Sequence, residues 1–161
     1  GVKRVEIGVD GVICWVGHGS PHSGAAEPRR FLDATPDTMI TMTIRAIRGA
    51  TTLVEDERHH LHERTKELVE AIIAANSLDI DDVISVIFTC TPDIVSDFPA
   101  AAARELGFGA VPLMCAQEMA VPGALPRVVR VMMHANLDVP RDQVSHVYLH
   151  EAKSLRKDLA Q

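Results

Sequence analysis

Aromatic side chains are scarce in this chain: one Trp, one Tyr and four Phe, or 4% of 161 residues. A surface that stacks nucleobases needs several of them, so single-stranded nucleic acid has little to rest on. Positive charge is not in excess either. Lys and Arg number 16 against 22 Asp and Glu, a formal net charge of −6, which is the wrong sign for a nucleic-acid partner. Cysteine occurs three times, as Cys14, Cys90 and Cys115. An odd count without framework spacing points to a reducing, cytoplasmic setting and no disulfides. No apolar run approaches the ~20 residues of a membrane span. Near the start, Lys3 and Arg4 precede an apolar stretch, but Glu6 and Asp10 interrupt it, so it does not read as a signal peptide. The patterns G-x-G-x-x-G, G-x-x-x-x-G-K-[ST], G-x-S-x-G and H-E-x-x-H are all missing. Standard nucleotide, hydrolase and zinc readings therefore lack support.

What is present is ordinary globular material, 47% hydrophobic and 24% charged, enough to bury a core within one domain. The composition changes near residue 40. Residues 17–38 are rich in Gly, Pro, Ser and Ala without a sustained apolar period, which reads as a linker or tail. Residues 1–39 are accordingly expected to be an N-terminal extension, flexible or foreign to the domain, and residues 40–161 the compact unit.

Within that unit the signals alternate. Strands are predicted at Thr43–Arg48, Val83–Cys90, Val111–Cys115, Val128–Ala135 and His146–Leu149. Helices are predicted at Arg58–Ala75 and Phe98–Leu106, with Gly107 as a C-terminal stop and a helical turn near Pro140–Val144. Leu61, Leu68 and Ile72, joined by Val69 and Ile73, form the apolar stripe of the first helix. Strands separated by helices imply an α/β or α+β domain with a mixed sheet.

The chemistry concentrates in V-P-L-M-C-A-Q-E-M (111–119), where Cys115 and Glu118 lie three residues apart, and in two arginines set among apolar neighbours, Arg48 and Arg130. A buried guanidinium needs anionic partners. Several arginines beside a single carboxylate suggest that the missing anion is a ligand. Each residue also has a plainer reading. Arg130 would equally suit an edge strand with its stem packed and its head in water. Cys115 and Glu118 fit a nucleophile and base, a structural thiol beside a loop carboxylate, or two hydrogen-bonding groups for a ligand hydroxyl. Arg104 and Arg156 taken singly are surface residues, and Tyr148 and Phe98 are packing residues. H-H-L-H (59–62) resembles a metal motif, but His59 and His60 point about 100° apart on a helix. Only His59 and His62 share a face, without a clear third ligand, so a solvated helix face is expected and no metal. His18 and His22 fall in the linker-like segment.

Together the pieces R-G-A-T-T (48–52), T-P-D (91–93), F-P-A (98–100), A-R-E-L (103–106), Q-E-M (117–119), R-V-M-M (130–133) and H-V-Y-L (146–149) closely resemble the AroH class of chorismate mutases, over about residues 43–159. The resemblance implies a homotrimer with a pseudo-α/β-barrel core and clefts between subunits. It implies the rearrangement of chorismate to prephenate on the route to phenylalanine and tyrosine, with no cofactor or metal. It assigns Arg48, Cys115, Glu118, Arg130 and Tyr148 to one subunit, and Phe98 and Arg104 to its neighbour. Leu155 and Arg156 come from a mobile C-terminal segment. Ala101 stands where some relatives have lysine, so a charge at the cleft rim is missing. Two alternatives stay in view: a trimeric imine-deaminase-like enzyme, and a non-catalytic module binding a cyclic dicarboxylate.

Overall fold

The computed structural model describes residues 43–159. The expectations placed on residues 1–39, His18 and His22 included, lie outside the described residues. Five strands form one mixed sheet: β1 (Ile44–Thr52), β2 (Val83–Cys90), β3 (Leu113–Gln117), β4 (Val128–Asn136) and β5 (Val147–Tyr148), in the order β3-β2-β4-β1-β5. β4 runs antiparallel to both β1 and β2, while the outer pairs β2/β3 and β1/β5 are parallel. Two helices, α1 (Arg58–Asn76) and α2 (Pro99–Glu105), contribute to the main core with the sheet.

Strand alternation decides which side chains meet those helices. On β4, Val129, Val131, Met133 and Ala135 are buried, whereas Arg130, Met132, His134 and Asn136 are half-exposed. The register carries this pattern across the sheet. Val131 stands opposite Gly49 and Phe88, and Arg130 stands opposite Ala50 and Thr89. One face therefore packs Ile47, Val86, Phe88, Val131 and Met133 against Leu61, Leu68, Ile72 and Ala103. The other face carries Arg48, Ile87, Thr89, Arg130 and Met132.

α1 lies close because β1 has no side chain at Gly49. A Cβ there would meet Ile72 Cδ1 at 2.8 Å, Val131 Cγ1 at 3.0 Å and Leu68 Cδ1 at 3.1 Å. The helix ends at Ser77, in the left-handed region, and its last turn is tied to the chain leading into β5. Asn76 Nδ2 donates to the Ser145 carbonyl and Asn76 Oδ1 accepts from the Ser145 N–H, each at 2.9 Å. α2 stops where Gly107 takes φ +97°, a conformation glycine adopts without steric cost.

Several boundaries differ from those predicted. β1 runs on to Thr52, four residues past the predicted end, because pairing with Val128–Val131 holds G-A-T-T extended. β3 begins at Leu113, two residues later than expected, and continues to Gln117. β5 is two residues long. α2 is one residue shorter at each end than the predicted Phe98–Leu106. The edge-strand reading of Arg130 is corrected, since β4 is bonded on both sides.

Candidate active site

Arg48, Ile87, Thr89, Arg130, Met132, Tyr148, Leu155 and Arg156 line a cleft of about 420 Å³ on the face that the helices leave uncovered. That volume lies in the range of small-molecule sites. Each wall follows from register. Arg130 pairs with Ala50 and Thr89, and Met132 with Arg48 and Ile87. Tyr148 stands beside Ala50 on the parallel strand β5. The chain after β5 forms a 3₁₀ segment, His150–Leu159, that kinks at Arg156 and brings Leu155 and Arg156 to the cleft.

Glu118 adjoins this cleft through two of its lining residues, Thr89 and Arg130. It follows β3 directly, and its N–H donates to the Cys90 carbonyl at 2.9 Å. Its side chain accepts from Thr89 Oγ1 at 2.5 Å and from Arg130 Nη1. The carboxylate is 19% exposed against 37% for Arg130, so the guanidinium keeps an open side while Glu118 holds the other. This corrects the picture of deeply buried arginines. Arg48 and Arg130 are both half-exposed and open toward the cleft. Arg130 is also set from upstream, because T-P-D fixes the entry to β4. Thr91 Oγ1 accepts from the Val128 N–H at 2.9 Å, and Asp93 accepts from the Arg127 N–H at 2.8 Å.

Two residues with a place here carried no individual assignment in the sequence. Thr89 ends one hydroxyl on Glu118 and lines the cleft; strand alternation with Arg130 is the signal that finds it. His146 lies just before β5, and its Nδ1 accepts from the Arg48 N–H at 3.1 Å. Burial lowers its pKa below the ordinary histidine value, and the charges of Arg48 and Arg156 act in the same direction. A neutral ring is what that acceptor role requires.

Cys115 is not part of the cleft formed by its own chain. It pairs with Phe88 in the parallel ladder and packs on the core beneath the helices. Its side chain thus lies on the face opposite Arg130. The neighbouring thiol, Cys90, is pushed up to about 12, first by burial and then by Cys115, Glu118 and Asp56, so it is not a thiolate at neutral pH. Phe98, 68% exposed, and Arg104, also exposed, sit at either end of α2 and do not line this cleft.

The histidine run divides in two. His59 is exposed, as expected of a solvated face. His62 departs from that expectation, its side chain being only 12% exposed. It bridges Asp97 Oδ2 at 3.0 Å and Glu105 Oε1 at 3.2 Å, joining α1 to the α2 region. The carboxylates take opposite ring nitrogens. Among the described residues no helix is long and apolar enough to cross a membrane.

The whole described domain has relatives. Residues 44–159 match the family described as chorismate mutase type I. The chain is 49% identical over 117 residues to the chorismate mutase AroH of Thermus thermophilus, covering 72% of this chain and 96% of that one. It is 47% identical over 120 residues to the AroH protein of Bacillus subtilis, covering 74% of this chain and 94% of that one. A solved chorismate mutase from Clostridium thermocellum superposes with a TM-score of 0.67 at 44% identity, over 68% of this chain and 97% of that one. A match along the full run of strands that builds the arginine cleft decides against the imine-deaminase alternative, and the chain belongs to the type I chorismate mutase family.

Proposed function

We propose that this chain converts chorismate to prephenate at the Arg48–Arg130 cleft, as a cytoplasmic isomerase of aromatic amino-acid biosynthesis. The reaction is an intramolecular, concerted electron shift in a molecule with two carboxylates. No proton has to move, so the site has two tasks. It holds the flexible side chain folded over the ring, and it stabilises charge that grows as the carbon–oxygen bond breaks.

The observation that carries this reading is the Thr89–Glu118–Arg130 arrangement on the open face of the sheet. Held from one side by Glu118, the Arg130 guanidinium is preorganised to donate to the ether oxygen as negative charge develops there. Arg48, with Tyr148 beside it, takes the side-chain carboxylate. Glu118 accepts from the ring hydroxyl and balances positive character in the ring. A passive dicarboxylate-binding module has little use for a carboxylate in that place.

Phe98, Arg104 and Cys115 belong, in this reading, to the wall that a second copy supplies within a homotrimer. Their support is positional: α2 and the helix-side residue of β3 lie away from the cleft of their own chain. There Phe98 would wall the ring, Arg104 would draw in the dianion, and Cys115 would help bind the hydroxyl. We read the domain as residues 40–161, with 1–39 as an extension. The direct test is the loss of chorismate ultraviolet absorbance with purified protein, with prephenate identified as product. Rapid turnover is expected. Binding of a cyclic dicarboxylate without turnover would replace the enzyme with the binding module.

A further inference from the structure

His150 is the hinge between Tyr148 and the segment that brings Leu155 and Arg156 to the cleft, and its backbone is left-handed, with φ +51°. Residues other than glycine rarely adopt that region, histidine being among the more tolerant. They persist there when their surroundings hold them. Here a closed triangle of side chains does so. His150 Nε2 lies 2.7 Å from Arg64 Nη1 and 2.9 Å from Glu67 Oε2. Arg64 Nη1 itself donates to Glu67 Oε2 at 2.8 Å. Arg64 is further steadied by donating through Nε to His60 Nε2 at 3.2 Å. The ring nitrogen faces a cationic donor and an anionic acceptor at once. With a hydrogen it donates to Glu67, and without one it accepts from Arg64, so one bond survives either way.

Both anchors stand on α1, which is seated on the sheet at Gly49. The triangle therefore transmits the position of a rigid helix to the start of the tail. The backbone agrees with this. The Leu149 N–H donates to the Ala50 carbonyl at 2.9 Å, the Glu151 N–H donates to Thr52 Oγ1 at 3.3 Å, and Ala152 is fully buried. Every one of these contacts lies before Leu155.

We propose that Arg64, Glu67 and His150 form a positioning clasp that sets the tail so that Leu155 and Arg156 close on the bound dianion. This role rests on the mutase reading of the cleft. None of the three touches substrate, so they are positioning residues. They are partly exposed, with side-chain accessibilities of 26% for Arg64, 43% for Glu67 and 33% for His150, and the effect is correspondingly moderate.

The test uses the full chain, with chorismate kinetics and amide hydrogen exchange of residues 150–157 in the unliganded protein. Glu67→Ala removes the acceptor. His150→Asn keeps a residue tolerant of the left-handed backbone but is too short to reach α1. Each is expected to raise KM roughly three- to fivefold, the scale of a partly exposed ion pair. In both, kcat should stay within about twofold and tail exchange should quicken. The double variant should be no worse than either single one, because the clasp acts as a unit. His150→Gln, which retains reach, donor and acceptor, should restore the parent KM. Unchanged KM and exchange in the two single variants would overturn the clasp, as would a lower melting temperature with KM unmoved. If the parent does not turn chorismate over, the mutase reading falls by itself, and tail exchange still decides whether the clasp exists.

Discussion

The two faces of one sheet make opposite use of the same strands. Under the helices, Ile47, Phe88, Val86, Val131 and Met133 are at most 3% exposed. On the far side, the residues between them are Arg48, Ile87, Thr89, Arg130 and Met132, and they line a cleft. Nothing separates the two sets but the period of two along a strand. The lesson is that stability and chemistry are interleaved along the chain yet segregated in space. A substitution at one position should move one property and leave the other nearly alone.

The sharpest way to break that comparison is at adjacent columns of β2 and β4. Phe88→Ala should cost about 3–5 kcal/mol of stability, as buried aromatic truncations do, measured by denaturant unfolding. Arg130→Lys should instead lower kcat/KM by roughly 10²–10³, the scale of losing one preorganised donor, while the unfolding midpoint hardly moves. Lysine keeps the charge but loses the planar fork that meets Glu118 and, in the proposed reading, the substrate. If Arg130→Lys unfolded the protein, the two faces would not be separable.

Cys115→Ser probes a smaller effect. With the thiol against the core face, the change should cost about 1 kcal/mol of stability and leave kcat within about threefold. Abolished turnover in a folded variant would restore the thiol-nucleophile reading. The smallest effect concerns pH. The folded His146 resists protonation because of burial, Arg48 and Arg156. The unfolded chain takes that proton near the ordinary histidine value of about 6.5. Between the ordinary value and the lowered one, the unfolded state binds more protons, so stability falls as pH falls through that window. His146→Gln, whose side-chain oxygen can still accept from the Arg48 N–H, should flatten this slope in unfolding curves taken between neutral and mildly acidic pH.

How much of this was legible in the residues depended on whether the signal was local. β2 was readable to the residue from V-I-S-V-I-F-T-C, and the α1 stripe from Leu61, Leu68 and Ile72, because burial imposes its period on the chain. The extension of β1 through Gly49 was not, since it depends on pairing with a strand about eighty residues away. Arg130 and Glu118 were readable as chemistry, and their partnership through Thr89 only as geometry. The face of Cys115 turned on register, and the two carboxylates gripping His62 come from distant positions in the chain. The motifs that carried the family resemblance named candidate residues. They did not say which way each one points.

β4 holds the middle of the sheet and is bonded along both edges. Arg130 therefore sits in the part of the domain that frays last, while Leu155 and Arg156 follow the two-residue outer strand β5. On slow heating, affinity for substrate should fade before catalytic rate does. The final loss of rate should coincide with the collapse of the domain, so that heat inactivation traced at saturating substrate becomes a direct record of unfolding.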